Sequence, residues 1–209
     1  MTGAGDFSPE RFFARAADRL YPEPPPGSGR LGDHALNPDL RADDIAYRDA
    51  AVLIPAIARE PEATILLTQR TPHLRSHAGQ IAFPGGKIDA ADASAGAAAL
   101  REAEEEIGLA PDKVRLIGYL EPYLTRTGYR IVPVLGRVDP SFALNLNVHE
   151  VEDAFEVPLS YLMTPANHRR GSRLHLGKNR LFYEMPFENR YIWGVTAGIL
   201  RALYERVFA

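Results

Sequence analysis

Arg101-Glu102-Ala103-Glu104-Glu105-Glu106-Ile107-Gly108 is the stretch on which the fold and the chemistry of this chain turn. Its surroundings predict one helix over 93–107 that stops at Gly108, with Pro111 just beyond. On that helix Gly96, Leu100, Ala103 and Ile107 fall on one face, which would pack on a sheet. Glu102, Glu105 and Glu106 fall on another face at i, i+3 and i+4, so their carboxylates converge. Like charges at that spacing destabilise a helix by about 0.2–0.5 kcal/mol per pair. A solvated acidic face gains nothing from such convergence, whereas a divalent cation removes the repulsion. Oxygen ligands select Mg²⁺ or Mn²⁺ over zinc or copper, and Mg²⁺ accepts phosphate oxygens as further ligands. The helix therefore points to metal-assisted attack on a diphosphate. Arg101 stands at i, i+4 from Glu105 and can orient it, while the Pro84-Gly85-Gly86 turn lets backbone approach a metal or phosphate.

Upstream of the helix, 51–54 and 63–67 read as strands joined by a turn near Glu60-Pro61. Residues 71–92, rich in Gly, Pro, His and Asp, read as a long functional loop. Downstream, 114–120 and 129–138 are expected strands, 158–162 a short helix and 180–185 a further strand. The last segment places Ile192, Val195, Ile199 and Leu203 on one helical face. Strands alternating irregularly with two main helices indicate an α+β fold, a mixed sheet covered on both sides. Before all of this, Ser8-Pro9-Glu10 opens a helix whose stripe is Phe12, Phe13, Ala16 and Leu20, and 22–29 reads as a Pro-rich linker. The division expected is 1–30 for that helix and linker and 31–209 for one catalytic domain.

Composition narrows the function. No cysteine is present, which excludes disulfides, zinc–thiolate sites and cysteine nucleophiles. A net charge of -3 gives no electrostatic footprint for a nucleic-acid partner. No stretch approaches the roughly 18–20 apolar residues of a membrane span, and the first residues do not resemble a signal peptide. The expectation is a cytoplasmic protein with a small-molecule substrate and no membrane partner. Oligomeric state is left open, a homodimer included. Gly86-Lys87 is followed by Ile88 where a phosphate-binding loop needs Ser or Thr, so a kinase or ATPase has no support.

The run from Arg101-Glu102 through Glu105-Glu106 to Gly108-Leu109 resembles the core of the Nudix box. The upstream half of the box is altered. Gly86 lies fifteen residues before Arg101, one more than the family spacing, and Asp92 stands where the first Glu is usual. Asp92 is accordingly expected to cap the helix. Leu66-Leu67-Thr68-Gln69-Arg70-Thr71, then Arg75, Gly79 and Phe83-Pro84-Gly85-Gly86, resembles the signature of the coenzyme A diphosphatase branch, with Thr71 at a Ser or Ala position. The resemblance implies a Nudix fold, an α/β/α sandwich around the mixed sheet. It also implies cleavage of coenzyme A or a derivative to 4′-phosphopantetheine and adenosine 3′,5′-bisphosphate.

Residues can be assigned on that basis. Glu102 and Glu106, one turn apart, are the expected main ligands of Mg²⁺ or Mn²⁺, with Glu105 and the Gly86 carbonyl as auxiliaries. Glu105 and Arg101 are the candidate catalytic pair. Arg70 and Arg75 offer forked donors to phosphate oxygens, and His77 and Gly85 complete the substrate-binding set. His73 is expected to be an ordinary loop histidine, Phe83 a core anchor and Trp193 a core residue. Glu150 or Glu152 could supply the acid that Nudix enzymes often take from a distant loop, although plain exposed acids are expected there. Tyr123, Arg126 and Tyr129 border a turn that could line the cleft. Two other functions fit the box alone: a Nudix hydrolase of ADP-ribose or a dinucleotide, and a Nudix-fold binding module without catalysis.

Overall fold

The structure, a computed structural model, describes residues 7–26, 31–40, 46–74, 77–175 and 177–209. Helix α1 (Pro9–Arg19) and the short β1 (Leu31–Gly32) precede β2 (Arg48–Ile57) and β3 (Thr64–Arg70). β4 (Ile81–Ala82) and β5 (Gly85–Lys87) follow, then helix α2 (Ala95–Ile107). β6 (Val114–Tyr119), β7 (Tyr123–Leu124), β8 (Tyr129–Val138) and β9 (Val151–Pro158) complete the main sheet. After α3 (Leu159–Leu162) come β10 (Arg169–His175), β11 (Lys178–Phe187) and β12 (Arg190–Trp193), a separate antiparallel sheet, and then α4 (Val195–Val207).

β2 is the hub of a mixed sheet. It runs parallel to β8 from Arg48 opposite Tyr129 to Ile57 opposite Val138. On its other side it meets β5 at Ala50–Val52 and β3 at Ala56–Ile57, both antiparallel. Pro55, which has no N–H to give, stands in the interval between those two pairings. Such a strand, covered on both faces, reads as a continuous apolar run. Alternate residues then serve opposite layers. Ala51 and Leu53 join Leu66, Val132 and Val134 under α2, with Ala98, Ala99, Ala103 and Ile107. Ile54 and Ala56 join Ile65, Leu67 and Leu135 under α1 and α4, with Phe12, Ala16, Ile199 and Leu203. The α/β/α sandwich is the fold observed.

Two expectations, the 71–92 loop and the helical position of Ile192, are corrected. Residues 71–92 are not a plain loop, because β4 pairs with β3 and β5 with β2. Both strands are too short to show a periodic pattern. Ile192 belongs to β12, and α4 begins only after Gly194, whose φ of 65° breaks the chain direction. No described helix is long and apolar enough to cross a membrane. The N-terminal helix is packed into the core: Phe12 is fully buried and stacks on Phe208 at 6.1 Å. Arg19 donates to the carbonyls of Val207 and Ala209.

Truncating a buried Phe costs about 3–5 kcal/mol. Phe12→Ala is therefore expected to lower unfolding free energy by that amount in urea denaturation. A loss below about 1 kcal/mol would show that α1 is not part of the cooperative core.

Candidate active site

The site is assembled around α2. Ser94 caps it, its Oγ accepting from the Ala97 N–H at 3.1 Å. At the other end Gly108 takes the left-handed conformation, φ 68°, and donates to the Glu104 carbonyl. A Cβ on Gly108 would come within 2.8 Å of Asn145 Cβ. The cap is thus Ser94, not Asp92. Asp92 instead accepts the Asp89 N–H and both Arg101 Nε and Nη2, and this guanidinium holds its carboxyl below the usual carboxylate range.

Arg101 uses its whole fork on the protein. Nε and Nη2 hold Asp92 at 3.0 Å each, Nη2 also reaches the Lys87 carbonyl, and Nη1 reaches Glu102 at 3.0 Å and Glu105 at 3.2 Å. These contacts match the five N–H donors of a guanidinium, so none is left over for a substrate. Arg101 is a positioning residue: it ties the 87–92 segment to α2 and orients Glu102 and Glu105. Glu105 itself is largely exposed.

Glu106 is the opposite case. Only 4% exposed, it accepts the Gly85 N–H at 3.1 Å and lies 3.6 Å from Arg70 Nη1. Burial pushes its carboxyl up to about 7, with Glu102 and Glu150 adding to the rise and Gly85 and Arg70 opposing it. Glu102, one turn away, is also raised, chiefly by burial. Its carboxylate lies over Gly86, where a Cβ would stand 2.5 Å from Glu102 Cδ. A Cβ on Gly85, φ 155°, would meet Val52 Cα at 2.7 Å. Gly85 is therefore required by close approach to backbone, while a side chain at Gly86 would push the Glu102 carboxylate aside. The ladder of β3 shifts register between Gln69 and Arg70, the kind of irregularity that re-aims a side chain beside a site. Among the described residues Arg70 Nε is buried without a hydrogen-bond partner.

Other predicted residues are distributed unevenly. Glu150 is half-buried, and its charge acts on both Glu102 and Glu106. The 145–151 loop brings it there, since Asn145 and Asn147 donate backbone N–H groups to the last carbonyls of α2. Glu150 thus departs from the plain exposed acid expected, while Glu152 lies 3.4 Å from the Gln69 amide. His77, φ 58°, is exposed and pairs with the Gln80 side chain at 2.9 Å. Arg75 lies outside the described residues. Tyr123 is buried, its hydroxyl on Asp33, so it does not line a cleft. Tyr129 carries Arg48 over its ring at 4.3 Å. Phe83 is a core residue, as expected, but Trp193 is not: it sits on an outer sheet face between Phe182 and Tyr191.

Among the described residues no group of three or more His, Asp or Glu side chains is placed to hold an ion. Mg²⁺ keeps waters and takes one or two carboxylates plus phosphate oxygens, so the pair Glu102 and Glu106 is the donor set to weigh against it. The donor set is all oxygen, with Glu102 and Glu106 one turn apart above the Gly85-Gly86 turn.

A family profile described as NUDIX domain matches residues 47–174. A Nudix hydrolase from Escherichia coli K12, NudL, is 44% identical over 168 residues, 80% of this chain and 87% of the relative. The corresponding Shigella boydii protein is 43% identical over the same extent, 80% and 87%. A crystal structure from Deinococcus radiodurans aligns at a TM-score of 0.50 and 11% identity, covering 78% of this chain and 88% of that one, which bears on the fold alone.

Two predictions follow from this geometry. Gly86→Ala must displace the Glu102 carboxylate while leaving the core intact. Mn²⁺ affinity, read by electron paramagnetic resonance titration, is expected to fall about tenfold or more, with native circular dichroism. Unchanged affinity would remove Glu102 from the metal set. Glu106 binds its proton more tightly folded than unfolded, so its contribution to stability is full below about 4.5 and is lost as pH rises through about 7. Metal-free protein should lose up to about 3 kcal/mol across that window. Glu106→Gln should remove most of that slope, and a slope unchanged by the substitution would contradict the assignment.

Proposed function

The chain belongs to the Nudix family, and we propose that it is a Mg²⁺- or Mn²⁺-dependent hydrolase of the diphosphate in coenzyme A or a derivative. The observation that carries this reading is Arg70. A cationic fork with an unpartnered buried Nε stands against Glu106, at the Gly85-Gly86 turn. A buried donor without a partner is costly unless a ligand uses it. Phosphate oxygens match a guanidinium fork, and Arg70 belongs to the 66–86 segment whose residues resemble the coenzyme A diphosphatase signature.

Each side chain then has a task. Glu102 and Glu106 would hold the ion, and Glu105 would serve as an auxiliary ligand or orient a water. Bound there, a divalent ion supplies charge neutralisation for the diphosphate and acidifies a water. Arg70 binds the diphosphate. The Gly85 N–H keeps Glu106 in place, and Arg101 keeps Glu102 and Glu105 in place. Glu150, whose charge acts on the pair from outside the helix, would be the group to take a proton from the attacking water. Water adds to one phosphorus, the bond to the bridging oxygen breaks, and 4′-phosphopantetheine and adenosine 3′,5′-bisphosphate leave.

A substrate panel tests this. Coenzyme A or one of its thioesters should be cleaved with Mg²⁺ or Mn²⁺ faster than ADP-ribose or a dinucleotide. Rapid ADP-ribose turnover with coenzyme A untouched would sink the proposal. Glu106→Gln should cut turnover by more than about a hundredfold, beyond the loss usual for an outer partner of a metal site. A folded variant with full activity would show that the metal assignment is wrong, and inactivity of the wild type on every diphosphate would leave a binding module.

A further inference from the structure

The outer face of the β10–β12 sheet sets aromatic rings beside cations. Residues directly opposed across a ladder share a face. Arg173 opposes Arg180, Gly171 opposes Phe182, Arg169 opposes Glu184, Glu184 opposes Trp193 and Pro186 opposes Tyr191. The alternate set includes Met185 and Ile192, both fully buried in the core that α4 completes. The set containing Phe182 and Trp193 is therefore the solvent side, where polar residues are usual.

That side carries three rings among its charged residues, with the Glu184 carboxylate accepting from the Tyr191 hydroxyl. Phe182 meets Trp193 edge-on at 5.3 Å, and Trp193 stacks with Tyr191 at 6.2 Å. Tyr191 is 47% exposed. Gly171 makes room for the Phe182 ring, since a Cβ there would stand 2.6 Å from Phe182 Cε2. Next to the rings, Arg173 and Arg180 oppose each other, an arrangement of like charges that destabilises a sheet. Lys178 adds a third cation, and the Asp39 carboxylate serves both Lys178 and Arg180 at 3.0 and 2.9 Å. Arg180 Nε is buried without a partner, and Arg173 is exposed with no ion pair among the described residues. The excess of positive charge suits an anion. The rings suit a base, which stacks on aromatic side chains.

The same sheet is tied to the main sheet next to Arg70 through its opposite face, the one that carries Arg190 and Ile192. β12 lies against β4, Arg190 donates to Gln69 and pairs with Asp153, and Thr196 donates to the Ile81 carbonyl. We propose that this face binds a nucleoside bearing a phosphate separate from the scissile diphosphate: the base on Phe182, Trp193 and Tyr191, the phosphate at Arg173 and Arg180. The proposal rests on the coenzyme A reading only for the nucleoside's identity, adenosine with a 3′-phosphate.

Trp193 is the chain's single tryptophan, so its emission reports the face directly. The full chain, in chelator, is titrated with adenosine 3′,5′-bisphosphate and with adenosine. A saturable change in Trp193 emission is expected for both ligands, at lower concentration for the bisphosphate. Phe182→Ala should weaken both by about tenfold or more. Arg173→Ala, at an exposed position, should weaken the bisphosphate about tenfold and leave adenosine unchanged. A silent Trp193 at millimolar ligand, or midpoints unmoved in both folded variants, would overturn the proposal. Coenzyme A cleavage by the wild type is measured in parallel. Cleavage with a silent Trp193 defeats the platform alone, and a responsive Trp193 without cleavage defeats the diphosphatase reading alone.

Discussion

Glu106 is a carboxylate that the fold buries at a cost to stability. Taking such a group out of water is unfavourable unless it is neutralised or hydrogen-bonded. Its neighbours supply one backbone N–H, from Gly85, and one cation, from Arg70. Much else is arranged to make that placement possible. Gly85 can donate only because it has no Cβ to strike β2. Gly86 has none to strike Glu102. The register shift in β3 accompanies the turn of Arg70 toward the same point.

The sandwich gives this constellation its rigidity. β2 is held on one edge by β8 along its length and on the other by β5 and β3 in turn. α2 lies across it through Ala98, Ala99, Ala103 and Ile107, small or compact residues that let the helix approach closely. Gly108 ends the helix where Asn145 must pass, and the same loop delivers Glu150. The loop is therefore coupled to α2 through hydrogen bonds at the helix C-terminus, and the Gly85-Gly86 turn through the Glu106 carboxylate. Arg101 performs the equivalent task on the other side, joining α2 to the Asp92 segment.

What the sequence made legible has a physical pattern. α2, β2, β3 and β8 were readable because long elements show period and end signals, Gly108 among them. β4 and β5 were not, since strands of two or three residues exist only through their partners in β3 and β2. β9 was missed because its Glu152, Asp153 and Glu156 mask a strand buried at only a few positions. The clustering of Glu102 and Glu106 followed from helix spacing, but the difference between a buried Glu106 and an exposed Glu105 depends on Gly85, which arrives from another element. Glu150 could be named but not placed, because its position depends on backbone bonds from Asn145 and Asn147. Trp193 was misjudged because an apolar residue in a short strand has two faces to choose from, and only pairing with β11 decides between them.

The central claim is that two carboxylates of one helix hold a metal against a diphosphate. It is tested most directly by a crystal structure of the protein with Mn²⁺ and coenzyme A, the ion located by its anomalous signal. The account predicts Mn²⁺ on Glu102 and Glu106 at about 2.1 Å, the usual range for a small hard cation on oxygen, with a diphosphate oxygen completing its shell and Arg70 on the phosphate. An ion bound elsewhere, or a diphosphate seated away from α2, would contradict it.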